Sequence, residues 1–540
     1  MAETRVTEGH DDLARVLMHQ DTFAVFDRAG AISADARQEQ GVYHRGTRYV
    51  SRLDLRIDGE RPMTLSSSVV RDNALLAVDL TNPDLSRDGV VAVPHGTIHL
   101  YRGCVVEDGL CTQRLRVHNF SASEVSFELR IRLEADFADV FEVRGTPRSR
   151  RGKQDAPEEH PDGIAIVYRG LDGVLRRTRL RCRPAPSQVL PKEVRFQLAL
   201  APHEERELAF EVACTEGTVD EPAPPFGDVA SRRDAEQEAL RLQEASVHSS
   251  SGLFDGWLHR AQSDLRMLLT RTKQGLYPYA GVPWYSTPFG RDGIITALQM
   301  LWTQPEVAAG VLRFLAATQA THASAEEDAE PGKIVHEMRH GEMAALREVP
   351  FGRYYGAVDT TPLFLALAGE YLHATGDVEL IHQLWPSFQA ALAWIERHGD
   401  RDGDGFVEYV RRSRTGLSNQ GWKDSFDAVF HADGRLAEGP IALCEVQAYV
   451  FAARRAMAEM ARAVGDESLA RTQAILAEEL RRRFEAAFWC EELSTYALAL
   501  DGEKRPCRVR TSNPGHCLAM QLVTPERAHR VATTLTDDAF

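Results

Sequence analysis

Four stretches of this chain gather carboxylates, arginines and aromatic rings more densely than helix or strand formation requires. They are YPYAGVPWYSTPFGRDG (Tyr277–Gly293), GKIVHEMRHGEMA (Gly332–Ala344), FGRYYGAVDTTP (Phe351–Pro362) and DRDGDGFVEYVRRSRTGLSNQGWKDSFDAVF (Asp400–Phe430). The mixture suits a polyhydroxylated ring. Aromatic faces cover its C–H surfaces, while carboxylates and guanidinium groups take its hydroxyls through charge-assisted hydrogen bonds. No single residue is diagnostic; recurrence of the mixture in successive loops carries the reading. Within these loops Trp284 and Tyr285 offer aromatic faces, Arg291 and Asp292 open an expected helix, and Asp424 follows Trp422 and Lys423. A carboxyl that donates a proton near neutrality must be held above its ordinary range. Partial burial beside Trp422 does this for Asp424, and an inward-pointing Lys423 opposes it, so Lys423 is expected to face hydroxyls instead. Asp427, three residues on, is the rival donor, and a helix cap is the plain structural alternative for Asp424.

Other motifs point elsewhere and are weaker. His336-Glu337-Met338-Arg339-His340 is a literal H-E-x-x-H, which on a helix places two histidines one turn apart for zinc. Pro331-Gly332 and Gly341 bracket it, however, leaving room for a very short helix and no evident third ligand. Asp400, Asp402 and Asp404, with Gly405 at the sixth position, resemble the start of a calcium loop, but Arg411 stands where the bidentate Glu belongs. An Asp/Gly turn is the better expectation there. Neither a dinucleotide fingerprint, nor a phosphate loop, nor a G-x-S-x-G elbow is present.

Two kinds of element must position these loops. From Asp21 to about Cys214 the chain alternates with period two between Gly, Pro and Asn/Asp turns. RYVSRLDLRIDGE alternates Val50, Leu53, Leu55 and Ile57 before a turn at Asp58-Gly59. TQRLRVHNFSASEVSFELRIRLEADF breaks at Asn119–Ser123 and then alternates Val125, Phe127, Leu129, Ile131 and Leu133, and EVRFQLALAPHEERELAFEV repeats the design. Such runs predict an antiparallel β-sandwich. Thr146–Gly163 is expected to be a disordered insertion, and residues 1–20 a flexible start. A helix over about Arg232–Val247 links this region, residues 21–230, to the next. From residue 251 the period becomes 3.6: Phe254–Thr270, Phe289–Trp302, Pro305–Gln319, Thr361–Thr375, Val378–Arg397, Ile441–Ala463 and Glu467–Phe488 read as helices, with Pro305 in the first turn and Asp377 as a cap. Successive helices joined by long loops predict a helical toroid over 251–540, whose loops gather at one mouth.

Composition narrows the classes. The 540 residues are 43% hydrophobic and 26% charged, with a formal net charge of −16. That balance speaks against a nucleic-acid surface, and the basic run Arg148–Lys153 is followed at once by Asp155, Glu158 and Glu159. The acidic start lacks the apolar core of a secretion signal and no stretch approaches a membrane span, so a cytoplasmic setting without membrane contact is expected. The eight cysteines are scattered without a C-x-x-C pair and read as core fillers rather than a disulfide framework.

The strings PWYSTPFGRDGIITALQML, GKIVHEMRHGEMA, VDTTPLFLALAGEYLHATGD, DRDGDGFVEYVRRSRTGLSNQGWKDS and EVQAYVFAARRAMA, in this order, closely resemble the bacterial amylo-α-1,6-glucosidase (glycogen-debranching) family. The half before them resembles that family's N-terminal β-domain. The resemblance implies a β-sandwich followed by an (α/α)6 toroid and metal-independent, cofactor-free hydrolysis of a terminal α-glucosidic bond in an α-glucan or oligosaccharide, with inversion. It makes Asp424 the general acid and Arg291 with Asp292 the grip on the glucose, with Glu337, Asp359, Glu445 and Gln447 as further sugar ligands. Inversion needs a second carboxylate about 6.5–9.5 Å from the first, and the resemblance places that base nearer the C-terminus than any residue here. About nine helices follow Ser251 where six pairs need twelve, so the toroid is expected to be incomplete and the chain alone inactive; if the base lies within the chain, Glu445 is the first suspect. Trehalases and other inverting glycosidases share the toroid and a similar acid loop, which leaves the linkage open. A non-catalytic glucan-binding protein on this scaffold is the alternative from another class.

Overall fold

The computed structural model describes residues 14–33, 38–217 and 222–538. Contacts divide the chain into two units. One runs to Thr270 and takes in Ala280–Thr287 and Arg339–Glu348; the other comprises Arg271–Tyr279, Pro288–Met338 and the chain from Val349 on.

The first unit is built of antiparallel sheets, as the period-two runs predict. Among the described residues, the largest sheet has nine strands. Its path runs from Lys153–Gln154 through Gly163–Arg169, Leu175–Arg183, Glu205–Glu216, Leu110–Asn119, Ile98–Glu107 and Leu75–Thr81 to the edge strand Met63–Val70. A five-stranded sheet orders Gln188–Leu190, Glu193–Leu200, Val125–Glu134, Arg52–Ile57 and Ile32–Ser33. Val125, Phe127, Leu129, Ile131 and Leu133, all on one face of their strand, share a core with Leu76, Val78, Leu100, Leu115, Leu180 and Phe210 of the larger sheet. Each such side chain contributes about 1.5–3 kcal/mol by leaving water. Asp58 and Gly59, both at positive φ, make the tight turn after Arg52–Ile57.

Three local expectations are corrected here. Residues 1–13 of the flexible start lie outside the described residues, but Arg15–His19 is a strand paired with Thr22–Phe26, with Leu17 and Met18 buried. The linking helix spans Phe226–Arg241 rather than about Arg232–Val247. Pro225 sits at its start, and Phe226 and Val229 pack into a small cluster with Leu75, Val105 and Leu110, while Ser251 caps the next helix, Gly252–Leu268. The segment 146–163 is ordered: its short strands Lys153–Gln154 and Glu158–His160 pair with Gly163–Arg169. Arg148 forms ion pairs with Glu348 at 2.7 Å and Glu342 at 3.1 Å, and Glu342 also accepts hydrogen bonds from the Tyr168 hydroxyl and the Leu171 amide. Polar composition does not produce disorder when the charges find buried partners.

The second unit is helical: Gly290–Met300, Pro305–Ala317, Thr360–Thr375, Val378–Trp394, Cys444–Ala463, Glu467–Ala487, Pro514–Ala519 and Pro525–Leu535. Thr360–Gly369 and Cys444–Phe451 are buried residue after residue, whereas Glu467–Ala487 buries a single stripe, Ala470, Gln473, Ala477, Leu480 and Phe484. Helices buried all round beside helices buried on one stripe are what two layers of helices require. Pro305 stands in the first turn of its helix and Asp377 caps Val378–Trp394 through the Leu380 amide at 3.0 Å, as their positions predict. The eight cysteines are all buried and unpaired. No helix among the described residues is long and apolar enough to cross a membrane.

Candidate active site

Three helices of the second unit begin in one cluster. Arg291 and Asp292 lie in the first turn of Gly290–Met300, Asp359 immediately precedes Thr360–Thr375, and Glu445 lies in the first turn of Cys444–Ala463. That last helix starts three residues later than expected because Ala442–Leu443 pairs as a strand with Ala499–Leu500. Asp377 and Asp466 cap two helices outside the cluster through side-chain bonds; no side chain caps any of these three. Their positive ends favour the carboxylates gathered there. Gly290 is obligatory: a Cβ would stand 2.1 Å from the Val335 carbonyl oxygen, and the Gly290 amide donates to the His336 carbonyl at 2.8 Å.

Arg291 ties the cluster together. Its Nη1 donates to Asp359 Oδ2 at 2.9 Å and to the Gly421 carbonyl at 3.1 Å, and its Nη2 lies 3.8 Å from Asp424 Oδ2. Asp359 is fully buried, whereas Asp424 is half-exposed, in a loop that opens no helix. The capping alternative for Asp424 therefore falls away. Burial raises the proton affinity of Asp424, Arg291 lowers it, and Asp359 and Asp292 raise it, with a net upward displacement. Burial, partly opposed by Arg291 and reinforced by Asp359, raises Asp292 too. The opposing cation is Arg291, not Lys423: the Lys423 ammonium donates to Ser512 Oγ at 2.9 Å and Asn513 Oδ1 at 2.8 Å and lies over the Trp422 ring. Asp427, the rival donor, is exposed.

Glu445 is buried, with Oε2 accepting from the Cys444 thiol, and its carboxyl is pushed up to about 7 by burial, against a lowering contribution from Asn513. Nearby, the Tyr449 hydroxyl and His516 Nδ1 are 2.8 Å apart, and the His516 ring packs on Trp422. Asp359 Oδ1, Gln420 Oε1, Glu445 Oε1 and Trp422 Nε1 are buried and have no protein hydrogen-bond partner. Three acceptors and one donor beside a guanidinium match a ligand whose hydroxyls both donate and accept.

Of the residues expected at the site, Arg291, Asp292, Asp359, Trp422, Lys423, Asp424 and Glu445 come together in this way. Glu337 is buried in a short strand paired with Arg353–Tyr354 and bridged to Phe289, just before Gly290. Gln447 turns its side chain to the backbone instead. Its Oε1 accepts from the Val407 amide and its Nε2 donates to the Val407 and Leu443 carbonyls, so the amide is spent on the backbone. Trp284 and Tyr285 belong to the segment that packs with the β unit. There the Trp284 carbonyl accepts from Arg339, and the Tyr285 hydroxyl accepts from Arg144, whose guanidinium lies over the ring. The H-E-x-x-H stretch is extended rather than helical, and His336 stacks edge-on between Phe289 and Tyr354. Asp400 and Asp402 accept backbone amides of their own turn, and Lys504 places its ammonium 3.0 Å from Asp402, 2.8 Å from Asp404 and 2.7 Å from Glu408. Sequence reading missed Ser512, Asn513 and His516. Their only local signal is Asn513-Pro514, an asparagine followed by a first-turn proline where the helix Pro514–Ala519 begins.

Residues 17–211 match the family described as the N-terminal domain of some glycogen debranching enzymes, and residues 289–540 match the mannosylglycerate hydrolase MGH1-like glycoside hydrolase domain. No curated protein matches the chain. Among solved structures, a protein assigned as a kojibiose phosphorylase from the human microbiome superposes with a TM-score of 0.53 at 9% identity, over 90% of this chain and 69% of its own. A bacterial glucoamylase complexed with acarbose does so with a TM-score of 0.53 at 11% identity, over 89% of this chain and 69% of its own. At these identities the likeness is one of fold.

Proposed function

We propose that this chain, which joins a glycogen-debranching-type N-terminal domain to an MGH1-like glycoside hydrolase domain, hydrolyses terminal α-glucosidic bonds of glycogen-like glucans or oligosaccharides, with Asp424 as proton donor. One observation carries the reading: a half-buried carboxyl with raised proton affinity stands beside a guanidinium and a set of buried, unpartnered acceptors. Arg291, Asp292 and Asp359 hold the sugar hydroxyls. Trp422 offers the apolar face, and Lys423, fixed by Ser512 and Asn513, completes the rim. Asp424 gives its proton to the departing glycosidic oxygen, and water attacks the anomeric carbon from the opposite face, inverting it as a second carboxylate takes the water's proton; within residues 1–540 Glu445 is the candidate for that base. The two proteins of similar fold, one assigned as a kojibiose phosphorylase and the other a glucoamylase complexed with acarbose, favour an α-glucosyl substrate. A cytosolic setting agrees with eight buried, unpaired cysteines.

The test is sugar release from a panel of α-1,2-, α-1,4- and α-1,6-linked glucosides and mannosylglycerate, with the anomer of the product read by NMR. The expected result is release of one sugar with inverted configuration, reduced ~10²–10⁴-fold in Asp424→Asn while binding persists. Wild-type protein that binds these sugars and cleaves none is a binding protein. Cleavage that survives Asp424→Asn removes the donor assignment.

A further inference from the structure

Between Val410 and Asp424 the chain forms neither helix nor strand, so no ladder of backbone bonds fixes the path that ends at Asp424. A buried carboxylate from elsewhere does so. Asp328 Oδ1 accepts from the amides of Arg412 at 2.7 Å and Ser413 at 3.0 Å, and its Oδ2 accepts from the Tyr354 hydroxyl at 2.8 Å and Gln420 Nε2 at 3.3 Å. Tyr354 extends the reach, its oxygen accepting from the Leu417 amide at 2.8 Å. The loop closes on this pair so tightly that a Cβ on Gly416 would stand 2.4 Å from the tyrosine oxygen and 2.9 Å from Asp328 Oδ2. Asp328 is 2% exposed, and these four bonds occupy both of its oxygens. Beyond the hub, the Gln420 carbonyl accepts from the Val358 amide at 2.8 Å and the Gly421 carbonyl from Arg291, delivering the loop to the residues that flank Asp424.

We propose that Asp328, extended by Tyr354, is the positioning residue for the proton donor: it sets the course of residues 412–421 and through them the place of Asp424. The inference rests on the reading of Asp424 as the acid. A donor works only within about 2.6–3.2 Å of the departing oxygen, and a displacement of about 1 Å from a distant change costs on the order of 100-fold. Asp328→Asn keeps the shape but not the chemistry. Turned one way, its NH2 meets the Arg412 and Ser413 amides, which can only donate; turned the other way, it requires the Tyr354 hydroxyl and the Gln420 side chain to give up donating and accept instead.

The experiment compares wild type, Asp328→Asn and Tyr354→Phe on two glycosides of one sugar, a disaccharide and its 2,4-dinitrophenyl counterpart, whose leaving group departs without a proton. In Asp328→Asn, kcat on the disaccharide is expected to fall on the order of 100-fold with little change in KM, and on the dinitrophenyl glycoside by less than about 3-fold. Tyr354→Phe, which keeps the carboxylate and removes one leg, shows the same selectivity at about 10-fold. Amide exchange at Arg412, Ser413 and Leu417 quickens in Asp328→Asn while the Cys444–Ala463 helix stays protected. Equal losses on both substrates, or full activity with unchanged exchange, overturn the positioning role. Wild type that cleaves neither glycoside overturns the hydrolase reading itself, and the positioning role with it.

Discussion

Replacing Glu445 by Gln should reverse a stability penalty that grows with pH. The carboxyl is 1% exposed, and burial displaces its titration from an ordinary 4.5 to about 7. Between those values the unfolded chain has released the proton while the folded chain still holds it. Folding therefore takes up a proton, and stability falls as pH rises. The favourable contribution is complete below 4.5 and lost by the time pH passes about 7. At ~1.4 kcal/mol for each pH unit, the loss amounts to about 3 kcal/mol. The groups that face Glu445 all enter this value: Asn513 and the Cys444 thiol hold the carboxyl down, Asp359 pushes it up, and Lys423, Tyr409 and Tyr449 feel its charge. The assay is urea unfolding of the helical unit at half-unit steps from pH 4 to 8, in wild type and in Glu445→Gln. Titrations that do not feel Glu445 are common to both proteins, so the difference in unfolding free energy reports this carboxyl together with the groups coupled to it. Glutamine cannot ionise, and the variant should gain about 3 kcal/mol on wild type across that range. A difference that stays flat to pH 8, or that runs the other way, would show Glu445 ionised in the folded state with its charge met by Lys423, and the reasoning from burial would fail.

Two further changes probe how buried charge is held. Lys504→Met leaves the buried Glu408 carboxylate without its ammonium at 2.7 Å and should cost about 3 kcal/mol at neutral pH. The cost shrinks in acid as Glu408 takes up a proton, and an unchanged urea midpoint would count against it. Arg148→Met strips Glu342 of its ion pair inside the β unit and should lower that unit's stability by about 3 kcal/mol. Calorimetry reads this directly, and a shift below half that size would mean that the Tyr168 hydroxyl and the Leu171 amide suffice for Glu342.

What was legible in the sequence was local. The alternation Val125, Phe127, Leu129, Ile131, Leu133 announces a strand because burial of one face repeats every second residue, and all five are buried. Pro305 and Asp377 announce helix starts because a missing amide hydrogen and a side-chain acceptor act within one turn. Partners distant in the sequence leave no such signal. Gln447 has the chemistry of a sugar ligand, and only the return of Val407, forty residues earlier, decides that its amide serves the backbone. The charges of residues 146–163 read as disorder until Glu342 and Glu348 come to meet Arg148. Asp328 lies outside the polar, aromatic loops, and its bonds reach residues 26, 84 and 92 positions away.

The same distinction explains the electrostatics of the site. From sequence, Asp424 had one neighbouring cation, Lys423, and its proton affinity turned on where that side chain pointed. In the folded protein Lys423 is engaged by Ser512 and Asn513, and a different cation, Arg291, faces the acid while bonding more closely to Asp359. The two contacts have opposite consequences. At 2.9 Å from Asp359 against 3.8 Å from Asp424, the guanidinium is committed first to the buried carboxylate. Asp424 therefore keeps an upward displacement from burial that a dedicated counter-ion would cancel. Asp359 enters the balance a second time, since after burial its charge adds to the upward push on Asp424, Asp292 and Glu445 alike. Burial thus lifts the neighbouring carboxyls above their ordinary range, and one buried, paired carboxylate adds to that lift. With Asp424 as the proposed donor, one residue supplies field and another transfers the proton, the division that an acid operating near neutrality requires.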